Sequence, residues 1–136
     1  MKAIVCSLVM ILLIAALAIS QTATVPASYL TAQEALAAND YAKAKTALTA
    51  LAAQSTGDVK TKATACANAA NLAAMREAFK PLSEVVAKMT LPNGYAVAFC
   101  PMFKGGAPWV QKQGTISNPY FGKGSEMASC GEFKKK

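Results

Sequence analysis

The chain has 136 residues, 54% of them hydrophobic, and a formal net charge of +7 from 14 basic and 7 acidic residues, with no histidine. That composition removes the commonest general base and the commonest metal ligand together, and the length suits one domain with a modest core. The lysines are spread along the chain and Arg76 is its only arginine, so the charge reads as a solvated surface and not as a nucleic-acid interface.

Met1 and Lys2 form a short positive start, and residues 3–19 then run almost without a polar atom. Ala18-Ile19-Ser20 places small residues where signal peptidase needs them, so residues 1–20 read as a secretory signal cut before Gln21, with Ala23 as the alternative. The apolar run sits at the short edge of the roughly 17–25 residues that span a membrane. Cys6 precedes the apolar core, the wrong side for a lipid-anchored cysteine. The expectation is a periplasmic or secreted protein, residues 21–136, with no stable membrane insertion after cleavage.

Four helical stretches are predicted next. The first runs from near Ala27 to Ala38, with Tyr29, Ala32 and Leu36 on one face. Asn39-Asp40 interrupts it and offers a cap for a second helix carrying Tyr41, Ala44, Leu48 and Leu51. Ser55 to Asp58 reads as a loop ending in a capping residue, followed by a third stripe of Val59, Ala63, Cys66, Ala70 and Ala73. Leu72, Met75, Phe79, Leu82, Val86 and Met89 then alternate three- and four-residue steps, the pattern of a buried helical seam. Pro81 lies inside that seam, and proline removes a backbone donor and crowds the preceding turn, so a kink or a restart at Lys80 is expected.

Composition changes near residue 91. Seven glycines, four prolines and most of the aromatic residues follow it, which reads as short extended pieces between turns. Leu91-Pro92-Asn93-Gly94 signals a turn, and Tyr95 to Phe99 reads as a short strand leading into Cys100. The fold class expected is mainly α: an antiparallel three- to four-helix bundle over about 27–90. A Gly/Pro/aromatic-rich tail, forming short strands or a hairpin, packs on it over 91–133. Lys134-Lys135-Lys136 reads as a frayed basic terminus.

Enzyme chemistry finds little support. The acids are few and scattered, no phosphate-binding loop or serine elbow is present, and neither Cys66 nor Cys100 has a histidine to activate it. What remains is sulfur. Cys66, Cys100 and Cys130 survive signal cleavage, an odd number for an oxidising compartment, and Cys66 reads as a small core residue. Cys100-Pro101-Met102 stands at one end of the tail and Met127-Ala128-Ser129-Cys130 at the other. If the tail folds back, two readings stay open. Cys100 and Cys130 form a disulfide, with Met102 and Met127 as packing residues. Alternatively, two thiolates and two thioethers converge as a soft donor set that selects copper(I).

The order Cys100-Pro101-Met102, Gly106-Ala107-Pro108-Trp109, Asn118-Pro119-Tyr120-Phe121-Gly122 and Cys130-Gly131 resembles the family catalogued as domain of unknown function 3347. Arg76, Phe79, Leu82 and Ser83 are similar to that family's helical segment. The likeness extends over about Ser28 to Glu132. It departs at Phe103, where a small residue is usual, and at Lys123 to Glu126, which is longer than the pattern. Members of that family occur as free exported proteins and fused to periplasmic adaptor subunits of copper and silver efflux pumps. The resemblance therefore implies heavy-metal handling, with an efflux adaptor or another periplasmic protein as partner and Cys100, Met102, Met127 and Cys130 as ligands. Trp109, Asn118, Pro119, Tyr120 and Phe121 are expected to be structural anchors that pin the tail to the helices.

Overall fold

The computed structural model describes residues 23–135, and the predicted signal, Cys6 and Lys136 lie outside them. Four helices come first: α1 (Ala27–Ala37), α2 (Tyr41–Gln54), α3 (Gly57–Ala67) and α4 (Leu72–Val86). Three strands follow: β1 (Tyr95–Cys100), β2 (Ala107–Lys112) and β3 (Glu132–Phe133). The protein is thus mainly helical with a small antiparallel sheet of order β2-β1-β3. Each helix packs on the next, and α4 and α1 pack on β2.

The helix ends are written in the sequence. Asn39 adopts a left-handed φ of 63°, which stops α1. The amides of Asn39 and Asp40 then return to the carbonyls of Leu36 and Ala35 at 3.2 and 2.8 Å. This is the paired closure of a Schellman end. Asp40 next starts α2, its Oδ1 accepting from the Lys43 amide at 2.9 Å, and Asn71 starts α4 by accepting from the Ala74 amide at 2.9 Å.

Three local expectations need correction. The Ser55-to-Asp58 loop is shorter than predicted: α3 begins at Gly57, and Asp58 lies in its first turn, where a carboxylate suits the positive helix end. The third stripe does not run on to Ala70 and Ala73, because α3 closes at Ala67 and Asn71 caps a separate helix. Lastly, of the kink or restart expected at Lys80 the restart does not occur, since α4 runs from Leu72 to Val86 with Pro81 inside it.

The α4 seam supplies as many large core side chains as the other three helices together. Met75, Phe79, Leu82 and Val86 are buried, whereas α1 to α3 contribute Tyr29, Leu36, Leu48, Leu51 and small alanines. Phe79 stacks on Tyr29 with centroids 5.1 Å apart. The Tyr29 hydroxyl reaches Ser83 Oγ at 2.7 Å and also accepts from the Val110 amide at 3.3 Å, so one buried phenol joins α1, α4 and β2. At the start of the described chain, the Val25 amide donates to the Thr90 carbonyl at 2.9 Å, and the Thr90 amide donates to the Ala23 carbonyl at 3.1 Å, beside the end of α4.

The sheet is a hairpin with one added strand. Tyr95 pairs with Lys112 and Cys100 with Ala107 at its two ends. On the other side of β1, Ala98 pairs with Phe133 and Phe99 with Glu132. Lys134 is not frayed: its amide donates to the Val97 carbonyl at 2.9 Å, and its ammonium lies 4.9 Å from the centre of the Phe99 ring. Among the described residues, no helix is long and apolar enough to cross a membrane.

Candidate functional site

The tail doubles back. β3 lies beside β1, which carries the last cysteine to the first: Cys100 and Cys130 are joined as a disulfide with Cα atoms 5.5 Å apart. Cys100 is buried at the end of β1, and Cys130 is half-buried. Closing a loop of 30 residues removes denatured-state entropy worth roughly 3–4 kcal/mol.

The segment before Cys130 is held by one carboxamide. Asn118 Oδ1 accepts from the Tyr120 amide at 2.8 Å, while its Nδ2 donates to the Cys130 carbonyl at 2.7 Å. The Asn118 amide itself donates to the Ala128 carbonyl at 3.2 Å. A buried carboxamide with both ends satisfied specifies one chain path, so Asn118 sets the approach of Cys130 to Cys100. Gly131 follows with φ 142°, and a Cβ there would press on the Trp109 ring. The conformation and the close approach both require glycine.

A clamp fixes the other side of the turn to the helices. Arg76, on α4, donates from Nε to the Pro119 carbonyl at 2.8 Å and from Nη2 to the Leu36 carbonyl and Asn39 Oδ1, each at 2.7 Å. The guanidinium therefore sits on the carbonyl end of α1, the end that favours a cation. Burial draws its pKa below the usual arginine value. Asn39 Nδ2 and the Ala37 carbonyl bind the backbone of Lys123, each at 2.7 Å. Gln33 Nε2 donates to the Ser117 carbonyl at 2.7 Å. Gly122, with φ 72°, passes so close that a Cβ would overlap Arg76 and Asn39.

The aromatic anchors pack between these two fixings. Trp109 is fully buried, its Nε1 donating to Gln111 Oε1 at 2.9 Å. Tyr120 donates to the Pro108 carbonyl at 2.6 Å and meets the Trp109 ring edge-on at 5.9 Å. Phe103 stacks on Tyr120 at 4.6 Å and meets Phe121 edge-on at 5.7 Å. Pro119 is also fully buried, whereas Phe121 is partly so.

The four sulfur-bearing residues thus divide. Cys100 and Cys130 are bonded to each other, Met102 is 65% exposed, and Met127 is half-buried ahead of Cys130, its carbonyl accepting from the Cys130 amide at 2.9 Å. The described residues hold no group of three or more His, Cys, Asp or Glu side chains placed to share a metal ion. An open cleft of about 450 Å³ borders Cys130, between Phe99, Pro101 and Glu132. Cys66 is a buried free thiol whose pKa burial pushes up to about 12, which leaves it protonated and unreactive at neutral pH.

The chain matches no protein-family model, no curated protein and no solved structure. The reading of the site therefore rests on its own geometry. Sequence reasoning had placed Asn118, Tyr120 and Trp109 as anchors. It missed Gln33, Asn39 and Gln111 as fastenings of the tail, whose partners are backbone groups together with the Arg76 guanidinium and the Trp109 indole. Gln111 fills all of its roles internally: Oε1 accepts from Trp109 and from the Ser117 amide, and Nε2 donates to the Lys112 and Thr115 carbonyls. The polar type of such a residue is visible in sequence, but its burial is not.

Proposed function

We propose that this chain is an exported, non-catalytic domain, periplasmic or secreted, whose Cys100–Cys130 disulfide staples the tail to the helices and presents a rigid surface to a protein partner. The bridge carries the reading: both cysteines are spent on each other, and it is the thiolate that binds metal or attacks carbon. The apolar start of the sequence supports export, and oxidising compartments are where such a bridge persists. The short connections between successive helices support an antiparallel bundle. The tail motifs, through the family they resemble, point to a heavy-metal efflux adaptor as the partner.

Mass spectrometry of non-reduced protein from its native compartment is expected to show residues 100 and 130 bridged and Cys66 free. Free thiols at 100 and 130 would overturn the staple. Replacing both with serine is expected to lower stability in urea by about 3–4 kcal/mol.

One observation favours a second, redox-gated reading. Met102 is exposed two positions beyond Cys100, and its chain neighbour Pro101 lines the cleft at Cys130. On reduction, two thiolates and this thioether would form a soft donor set for copper(I). Reduced protein should then compete with a copper(I) chelator, oxidised protein should not, and Cys100→Ser should abolish the competition. No competition in either state ends the metal reading and leaves the staple intact.

A further inference from the structure

A groove of about 470 Å³ opens between the last turn of α4 and strand β1, within the roughly 300–1,000 Å³ range of small-molecule sites. Its walls are apolar: Ala87 and Leu91 on one side, Val97 and Pro108 on the other. Its edge is cationic. Lys88 stands at the helix end, and Lys134 and Lys135 stand beyond β3, all three exposed. Glu84 is the one acid lining it, and that carboxylate already lies 4.0 Å from the Lys80 ammonium.

Lys134 is delivered there by the fold. Its amide is fixed to the Val97 carbonyl, and β3 is held on β1 by pairing and by the disulfide two residues earlier. We propose that this groove binds a single-chain anionic amphiphile, a fatty-acid carboxylate, with the acyl chain between α4 and β1 and the carboxylate among Lys88, Lys134 and Lys135. Two observations choose that chemistry. Charge complementarity calls for an anion, because three lysines line the edge against one partly neutralised acid. The lining side chains include no neutral hydrogen-bonding group, so a peptide's amides would find only Glu84 as a side-chain acceptor, whereas an acyl chain has no polar group to satisfy.

The test is calorimetric titration of the oxidised mature protein with decanoate below its micelle concentration. Acetate (charge without chain) and decyltrimethylammonium (chain with opposite charge) serve as comparators. Saturable one-to-one binding of decanoate alone is expected, weakened at least tenfold in a Lys88→Glu/Lys134→Glu variant. It should be unchanged in a Lys45→Glu/Lys60→Glu variant that alters net charge equally on other helices. Ala87→Trp, which fills the groove, should abolish binding while the far-ultraviolet signal of the helices persists. Absence of saturable binding, equal weakening in both charge variants, comparable binding of decyltrimethylammonium, or full affinity in Ala87→Trp would each overturn the proposal. Self-association lost in the Lys88/Lys134 variant, with no decanoate binding, would reassign the groove to a second copy and overturn it as well.

Discussion

Arg76 joins three parts of the molecule that are far apart in sequence: the end of α1, the Asn118-to-Gly122 turn and its own helix. Its charge is solvated by carbonyl and carboxamide oxygens, so removing it takes a donor from the partly buried Leu36 and Pro119 carbonyls. Arg76→Ala is expected to cost about 2–3 kcal/mol in urea denaturation. Arg76→Lys should recover less than half of that, because a single ammonium cannot reproduce the planar fork; full recovery by lysine would show that charge alone matters. Buried ionisable groups set a second expectation at this scale. Burial raises the Tyr29 and Tyr120 hydroxyls above their ordinary range and pushes the Cys66 thiol up to about 12. In the unfolded chain these groups ionise from about 8.5 for cysteine and about 10 for tyrosine. The folded state thus keeps protons that the unfolded state releases. Stability from these groups is complete below about pH 8.5 and declines as pH rises towards and past 12, by up to about 1.4 kcal/mol per pH unit for each group. Cys66→Ala should remove the part of the decline that begins below pH 10, and stability rising with pH across that range would contradict the assignment.

At the scale of elements, α4 organises the fold. Among the described helices it alone combines strong helical periodicity with large side chains, and it packs on both α3 and β2. Pro81 sits on its exposed side, so the helix continues through a residue that supplies no amide. Pro81→Ala restores that donor without disturbing the core. It is expected to raise stability by about 1–3 kcal/mol, read as a higher urea midpoint at unchanged slope. A lower midpoint would mean that the proline shapes packing against β2. The same helix shows what the sequence could and could not disclose. Its seam was legible because Met75, Phe79, Leu82 and Val86 recur at helical spacing. Its start at Asn71 was not, because alanines run on both sides and carry no periodic contrast. The β1 strand was legible from the turn before it. Its partner β3 was not, because two residues are too few to form a pattern.

At the scale of the whole molecule, the tail is a strap fastened at two places: by Arg76, Asn39 and Gln33 to the helices, and by Cys130 and β3 to the sheet. The fastening also carries Lys134 to the edge of the α4–β1 groove, so the terminal lysines, which read as a loose basic end, become part of a shaped surface. Whatever depends on near neighbours is legible in the residue order: the helix periods, the cap at Asp40, the turn at Gly94, and the change of composition near residue 91. Residue order alone left the Cys100–Cys130 bridge, the Asn118 and Arg76 clamps and the cationic groove undecided. Each joins residues ten or more positions apart, and only the folded path of the tail brings those groups to their partners.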